Sequence, residues 1–161
     1  MNIRQKLDKE ISTFVGQAES PGRSFKRKKK VTYSEFLSDK MLMIQLIRRG
    51  MPYSLFSLIK DVTPFSDDNW AEILNVSPKS LHRYKQSSKQ FKPLQSEKIV
   101  EIAEVTEAGV EVFGDIERFS LWLNTPNFAL GGMKPFELLK DSYGKELVQT
   151  ELTRIGHGIL A

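Results

Sequence analysis

Trp122-Leu-Asn-Thr-Pro-Asn-Phe-Ala-Leu-Gly-Gly132 is the stretch that decides the fold of the second half of this 161-residue chain. It begins on the apolar side of a helix, where Phe119, Trp122 and Leu123 recur at helical spacing. Pro126 cannot continue that helix, and the pair Gly131-Gly132 favours a turn. The stretch therefore predicts a helix that ends in a tight turn.

The flanking residues extend this helical prediction in both directions. Gly114 is expected to end a preceding helix, and Asp115 is expected to cap the next one. Pro135 is typical of the first turn of a short helix, and Gly144 is typical of the residue that follows its end. A final amphipathic helix is then predicted from the positions that trace one face: Leu147, Val148, Glu151, Leu152 and Ile155.

A longer helix is predicted before Gly114. Residues Gln86–Gln95 are typical of a loop, and Ser96 suits an N-cap, so the helix is expected to begin at Glu97. Several glutamates occupy one side of it and are interpreted as a solvated face, because no histidine accompanies them. The apolar face consists of Ile99, Ile102, Ala103, Thr106, Val110 and Phe113.

Residues Asp67–Gln86 have the pattern of a helix-turn-helix. Such a motif needs a small residue in its first helix, which Ala71 supplies, and a turn residue that tolerates positive φ, which Asn75 supplies. Ser77 and Pro78 suit the cap and the first turn of the second helix. The apolar positions expected to face a shared core are Leu74, Val76, Leu81 and Tyr84.

The second helix of this motif carries the predicted DNA contacts. With Leu81 and Tyr84 buried, its other faces present the residue types that recognition helices place against bases and phosphates. A monomeric motif of this kind binds weakly, so a homodimer is expected. The predicted DNA-binding residues are Lys79, Ser80, His82, Arg83, Lys85 and Gln86.

Two further helices are predicted upstream. Thr32-Tyr-Ser-Glu35 matches a capping box, and the helix that it begins is expected to run to Arg49 and to end at Gly50. Pro52 can open the next helix, in which Leu55, Phe56 and Ile59 would be buried. The apolar positions that support the first of these helices are Phe36, Leu37, Met41, Ile44 and Ile47.

Residues 1–31 are interpreted as a mobile basic N-terminal segment. The segment contains Ser20-Pro-Gly-Arg-Ser24, which is typical of a linker, and the basic run Lys26–Lys30. That run indicates either a solvated, disordered tail or an arm that lies along DNA phosphates or in the minor groove. A short amphipathic helix is predicted before the linker from Ile3, Leu7, Ile11, Phe14 and Val15.

Charge is divided unevenly along the chain, although the net charge is only +4. Residues 1–40 carry ten Lys and Arg against five Asp and Glu, and residues 41–95 carry eight against four. Residues 96–161 carry six against eleven. Since acidic surfaces are repelled by phosphate backbones, any nucleic-acid surface is expected before residue 96.

Composition excludes several classes of protein. The chain has no cysteine, so disulfides and thiolate metal sites are impossible. The absence of disulfides fits a protein of the reducing cytoplasm. No apolar run approaches the roughly 20 residues that span a bilayer. The only histidines are His82 and His157, and neither is placed to serve a hydrolase triad. We therefore expect a soluble cytoplasmic protein that is not an enzyme and needs no cofactor or metal.

The second half of the chain also resembles a known family. Trp122-Leu123, Pro126-Asn127, Ala129–Gly132 and Pro135–Leu139 are similar to the motifs of the C-terminal domain of Xre/MbcA/ParS antitoxins. The preceding helix-turn-helix is similar to Xre-type domains. The resemblance implies an all-α fold, in which residues 32–95 form a DNA-binding domain and residues 96–161 a small helical toxin-binding and dimerisation domain.

The resemblance also implies partners. The protein would neutralise a cognate toxin, typically a RES-domain protein that degrades NAD, and would repress its own operon by binding operator DNA. The alternative is a stand-alone helix-turn-helix regulator without a toxin. The first half of such a regulator would have the same sequence features, so that half does not distinguish the two functions. The residues implied to approach the toxin are Arg154, Gly156, His157, Gly158, Ile159 and Leu160.

Overall fold

The computed structural model describes residues 1–17 and 30–158, and all regular structure within these ranges is helical, as predicted. None of these helices is both long enough and apolar enough to cross a membrane. The helices are α1 (Ile3–Gln17), α2 (Tyr33–Ser38), α3 (Lys40–Arg49), α4 (Tyr53–Asp61), α5 (Asp67–Ile73), α6 (Pro78–Ser87), α7 (Pro93–Phe113), α8 (Ile116–Leu123), a 3-10 helix (Phe128–Leu130), α9 (Pro135–Leu138) and α10 (Ser142–Gly156).

The chain forms two compact units, and neither is continuous in sequence. Unit 1 comprises Met1–Val62 and Lys79–Val100, and unit 2 comprises Thr63–Pro78 and Glu101–Ala161. Helix α7 therefore contributes to both units. The division into residues 1–31, 32–95 and 96–161 stays a prediction, and all of the basic run except Lys30 lies outside the described residues.

Helix α1 is part of the core of unit 1. Leu7, Ile11 and Phe14 are buried at its predicted helical spacing. The backbone N–H of Tyr33 donates to the Asp8 carboxylate at 2.7 Å, and the Arg49 guanidinium donates to the Phe14 carbonyl at 3.0 Å. The first half of the segment expected to be mobile is thus a packed helix.

The capping box at Thr32 and Glu35 is confirmed, but the helix that it begins is shorter than predicted. Its two reciprocal hydrogen bonds measure 3.1 and 3.0 Å. Asp39 adopts an extended conformation, and its carboxylate accepts from the N–H groups of Met41 and Leu42, so it ends α2 and caps α3. Because the helix is broken at Asp39, the buried face of α3 differs from the predicted one. Met41 and Ile44 are exposed, and Met43 and Leu46 form the core of α3 instead.

The predicted N-cap role of Ser96 is wrong. Helix α7 begins at Pro93, and Ser96 is fully buried within it. Its hydroxyl accepts from the Met51 N–H at 2.8 Å and donates to the Phe91 carbonyl at 3.3 Å. Ser96 therefore joins α7 to the segment that follows Gly50, whose φ of 88° confirms the predicted helix end.

We expect Ser96→Ala to lower the free energy of unfolding by about 1–3 kcal/mol, because it leaves the buried Met51 N–H without its acceptor. Urea denaturation followed by circular dichroism measures this loss. Ser38→Ala is the matched control, since the exposed Ser38 hydroxyl only donates to the Ser34 carbonyl of its own helix. Equal stability of the two variants would contradict the structural role of Ser96.

Unit 2 contains the stretch Trp122–Gly132 and its flanks. The Asp115 carboxylate accepts from the Arg118 N–H at 2.8 Å and caps α8, as predicted. Phe119 and Leu123 are buried, and α9 begins at Pro135. The predicted turn contains the 3-10 helix, and both glycines after it have positive φ, 70° at Gly131 and 78° at Gly132.

The predicted role of Gly144 is also wrong. Gly144 lies inside α10, which Asp141 caps by accepting from the Gly144 N–H at 2.7 Å. A Cβ at Gly144 would lie 1.9 Å from the Leu138 carbonyl oxygen. The glycine therefore permits α9 and α10 to approach closely. Of the predicted apolar face of α10, Val148 and Leu152 are buried, but Leu147 is exposed.

Candidate functional sites

The turn between α5 and α6 has the predicted geometry. Asn75 adopts a positive φ of 53° directly after Leu74, the C-cap of α5. The Val76 N–H donates to the Ala71 carbonyl at 3.0 Å, and the Asn75 N–H donates to the Glu72 carbonyl at 3.2 Å. These two bonds define a Schellman motif, which fixes the direction in which the chain leaves α5. Ala71 and Leu74 are buried, as expected.

Helix α5 is anchored within unit 2. The Phe65 ring centroid lies 5.9 Å from that of Trp70 and 5.8 Å from that of Phe136. The Lys140 ammonium forms an ion pair with the Glu72 carboxylate. Sequence patterns could not reveal this anchoring, because Glu72 and Lys140 are 68 positions apart. The ion pair also offsets one of the negative charges on the first helix of the motif.

Helix α6 is held in unit 1 by the side predicted to be buried. Leu81 is buried, and the Tyr84 ring stacks on Phe91 with a centroid separation of 4.6 Å and an interplanar angle of 3°. The Tyr84 hydroxyl donates to the Gln95 side-chain oxygen at 3.3 Å. These contacts fix the rotation of α6 about its axis, and with it the faces that meet solvent.

All six predicted DNA-binding residues reach the surface of α6. Ser80 is half-buried, and the other five are exposed. Four of them are spaced i, i+3, i+4 and i+7, so they share one face of the helix, opposite Leu81 and Tyr84. Ser80 and Lys85 flank the buried side. The four residues on the outer face are Lys79, His82, Arg83 and Gln86.

The residues expected to approach a toxin lie at the end of α10. Arg154 is partly exposed, and its guanidinium is 3.4 Å from the Glu151 carboxylate. Gly156 is the last helical residue, and a Cβ there would be 3.3 Å from the Val112 side chain. His157 is an exposed C-cap whose N–H donates to the Thr153 carbonyl at 3.1 Å.

The remaining residues of this set follow the helix. Gly158 is exposed and has a φ of 71°, which is typical of a residue that ends a helix. Ile159 and Leu160 lie outside the described residues. The final helix, predicted as far as Ile155, extends to Gly156, and Arg154, Gly156 and His157 have defined positions at its end.

No group of three or more His, Asp or Glu side chains within residues 1–17 and 30–158 could hold a metal ion. Unit 1 presents a basic helix to solvent, and unit 2 presents an exposed helix end. The described residues thus form an all-α protein in which α5 and α6 make a helix-turn-helix and further helices belong to unit 2.

Two family descriptions match the chain. The antitoxin Xre-like helix-turn-helix domain matches residues 42–104, and the antitoxin Xre/MbcA/ParS C-terminal toxin-binding domain matches residues 108–158. Antitoxin Xre of Yersinia enterocolitica serotype O:8 / biotype 1B (strain NCTC 13174 / 8081) is 33% identical over 95 residues, which are 56% of this chain and 64% of the relative. The chain thus aligns with less than two thirds of that relative.

A solved structure shares the fold. It is the crystal structure of the Mycobacterium tuberculosis MbcT-MbcA toxin-antitoxin complex, and one of its chains matches with a TM-score of 0.55 and 22% identity. The match covers 66% of this chain and 94% of that chain. That likeness concerns the fold alone. The two domain matches, which occur in the predicted order, and the similarity to antitoxin Xre show that the chain belongs to the Xre/MbcA/ParS antitoxin family.

Proposed function

We propose that this chain is the antitoxin of a type II toxin-antitoxin system, which neutralises its cognate toxin by direct binding and represses its own operon. The observation that supports this most is the toxin-binding family domain at residues 108–158, which follows an Xre-like helix-turn-helix. The antitoxin itself performs no catalysis in this proposal. Its toxin would be a RES-domain protein that degrades NAD.

Toxin binding is assigned to the C-terminal end of α10. Arg154 and His157 are three residues apart on the exposed side of this helix. An exposed helix end can enter a concave site on a partner without unfolding the domain that carries it. Operator binding is assigned to the outer face of α6, and a homodimer would place two such helices on two half-sites of the operator.

Co-expression with the product of the neighbouring gene tests toxin neutralisation. We expect the two chains to co-elute when the neighbour carries the affinity tag, and we expect growth to be rescued. Cellular NAD should fall when the neighbour is expressed alone and recover when both are expressed. A chain that neither co-elutes nor rescues growth would contradict the antitoxin proposal and favour a stand-alone regulator.

Operator binding is tested by removing charge from α6. We expect Lys79→Ala combined with Arg83→Ala to weaken binding to the DNA upstream of the gene by about tenfold or more. The slope of log affinity against log salt should fall by about two, one for each lost contact. Gel-shift titrations at several salt concentrations measure both quantities.

The matched control for this charge change lies in unit 2. Arg118→Ala combined with Lys134→Ala removes two positive charges from exposed positions outside α6. We expect this variant to bind the operator as the wild type does. If both double variants lost affinity equally, α6 would not be the recognition helix.

A further inference from the structure

Phe128 is an exposed aromatic residue on a fixed turn. Its side chain is 97% exposed, although the backbone around it is held by several hydrogen bonds. The Asn127 carboxamide accepts from the Ala129 N–H at 2.8 Å, and the Asn127 N–H donates to the Met133 carbonyl at 3.0 Å. Leu130 is buried and anchors the turn. Phe128 itself contributes little to this packing, so the turn holds a phenyl ring out in water.

Helix α10 carries a second set of exposed apolar side chains. Tyr143 is 85% exposed and Leu147 is 54% exposed, whereas Val148 and Leu152 on the opposite side are buried. Tyr143 and Leu147 are four residues apart, so they lie on one face of the helix. Residues three or four positions further along share this face, and these are Thr150, Arg154 and His157.

The turn and the helix are neighbours in unit 2, because the 3-10 helix that contains Phe128 packs beside α10. Two elements in contact therefore both present large apolar side chains to solvent. Most of the large apolar side chains that are exposed within residues 1–17 and 30–158 belong to unit 2: Leu121, Phe128, Met133, Tyr143 and Leu147. Adjacent elements that both leave large apolar side chains in water are typical of a surface that a protein partner covers.

We infer that Phe128, Tyr143 and Leu147 form an apolar docking patch for the toxin, in addition to the contacts made by the end of α10. The inference rests on the proposed antitoxin function. The three residues lie within the toxin-binding family domain at 108–158, and the exposed face of α10 runs from Tyr143 to Arg154 and His157. The excess of acidic residues in 96–161 disfavours DNA as the occupant.

The patch anchors the toxin along the side of unit 2 while the helix end reaches further into it. Aromatic side chains that become desolvated at an interface carry much of its binding free energy. Burial of Phe128 is expected to contribute most to the binding free energy, since almost all of its surface is in contact with water in the free protein. Its backbone is already ordered, so little conformational entropy is lost on binding.

Calorimetric titration of full-length variants with the purified toxin tests this inference. We expect Phe128→Ala to weaken binding by about 30-fold or more, as removal of an interface anchor does. Tyr143→Ala combined with Leu147→Ala should weaken it by a similar factor. Leu94→Ala is the matched control, because Leu94 is 80% exposed but belongs to unit 1, and its toxin affinity should stay within about twofold of the wild type.

The outcomes separate this inference from the proposed function. Wild-type binding with an unaffected Phe128→Ala variant would overturn the patch and leave the antitoxin proposal intact. No binding by the wild type would overturn both. Sedimentation equilibrium of the free chains adds one further outcome: if Phe128→Ala changed the oligomeric state but not the toxin affinity, a second copy would be the occupant and the inference would be wrong.

Discussion

Replacing Gly144 by alanine is expected to lower the free energy of unfolding of unit 2 by about 3 kcal/mol or more. The new Cβ would lie 1.9 Å from the Leu138 carbonyl oxygen and 2.7 Å from its carbonyl carbon. Both are backbone atoms, so no rotamer change can relieve the overlap. Helices α9 and α10 would have to separate, and the cap that Asp141 provides to α10 would be strained. Thermal denaturation of the full chain measures the loss.

Gly16→Ala provides the control for this substitution. Gly16 lies in α1, and among the described residues no atom beyond the adjacent helix backbone lies within 4 Å of the position that its Cβ would take. Since alanine restricts the unfolded chain more than glycine does, we expect this variant to be more stable by about 0.5 kcal/mol. If Gly144→Ala were as stable as the wild type, the close packing of α9 against α10 would be refuted.

Ending the chain after Gly156 is expected to abolish neutralisation of the toxin. This truncation removes His157 and Gly158 together with residues 159–161, but it retains all of α10. If the helix end enters the toxin, its removal should weaken binding by about 100-fold or more, which corresponds to one or two interface hot spots. Growth rescue in cells that express the toxin measures the functional effect.

The truncated chain should remain folded, because His157 and Gly158 are exposed. Its thermal midpoint and its affinity for the operator are therefore expected to match those of the wild type. These two measurements distinguish loss of the toxin contact from loss of the fold. Rescue by a truncated chain of wild-type stability would show that the end of α10 is dispensable.

The sequence predicts those features of the fold that neighbouring residues determine. The capping box at Thr32, the positive φ of Asn75, the cap at Asp115 and the helix start at Pro135 each depend on residues within one helical turn. Their chemistry is therefore visible in a short window of sequence. The all-α class follows from these features.

Other features depend on partners that are distant in sequence. Ser96 looks like a cap, but it is buried because it bonds to Met51, 45 positions away. Gly144 looks like a helix end, but the carbonyl of Leu138 requires it to be glycine. A local pattern identifies a residue type that suits several roles, and only the packed structure decides between them.

The candidate sites divide in the same way. Helical spacing could place the predicted DNA-binding residues on the faces of α6 away from Leu81 and Tyr84, but it could not reveal that Tyr84 is held by stacking on Phe91. The exposed positions of Phe128, Tyr143 and Leu147 could not be predicted, because large apolar residues are usually expected in the core.

The interleaving of the two units has a consequence for how the chain folds as it is synthesised. Residues 63–78, which include α5, belong to a unit whose other part is made only after residue 100. When the ribosome has completed unit 1, α5 still lacks its contacts with Phe136 and Lys140, so the contacts that anchor α5 can form only once the last third of the chain has emerged. If the chain represses its operon as proposed, a nascent or prematurely terminated chain would be a poor repressor, and operator occupancy would report full-length protein.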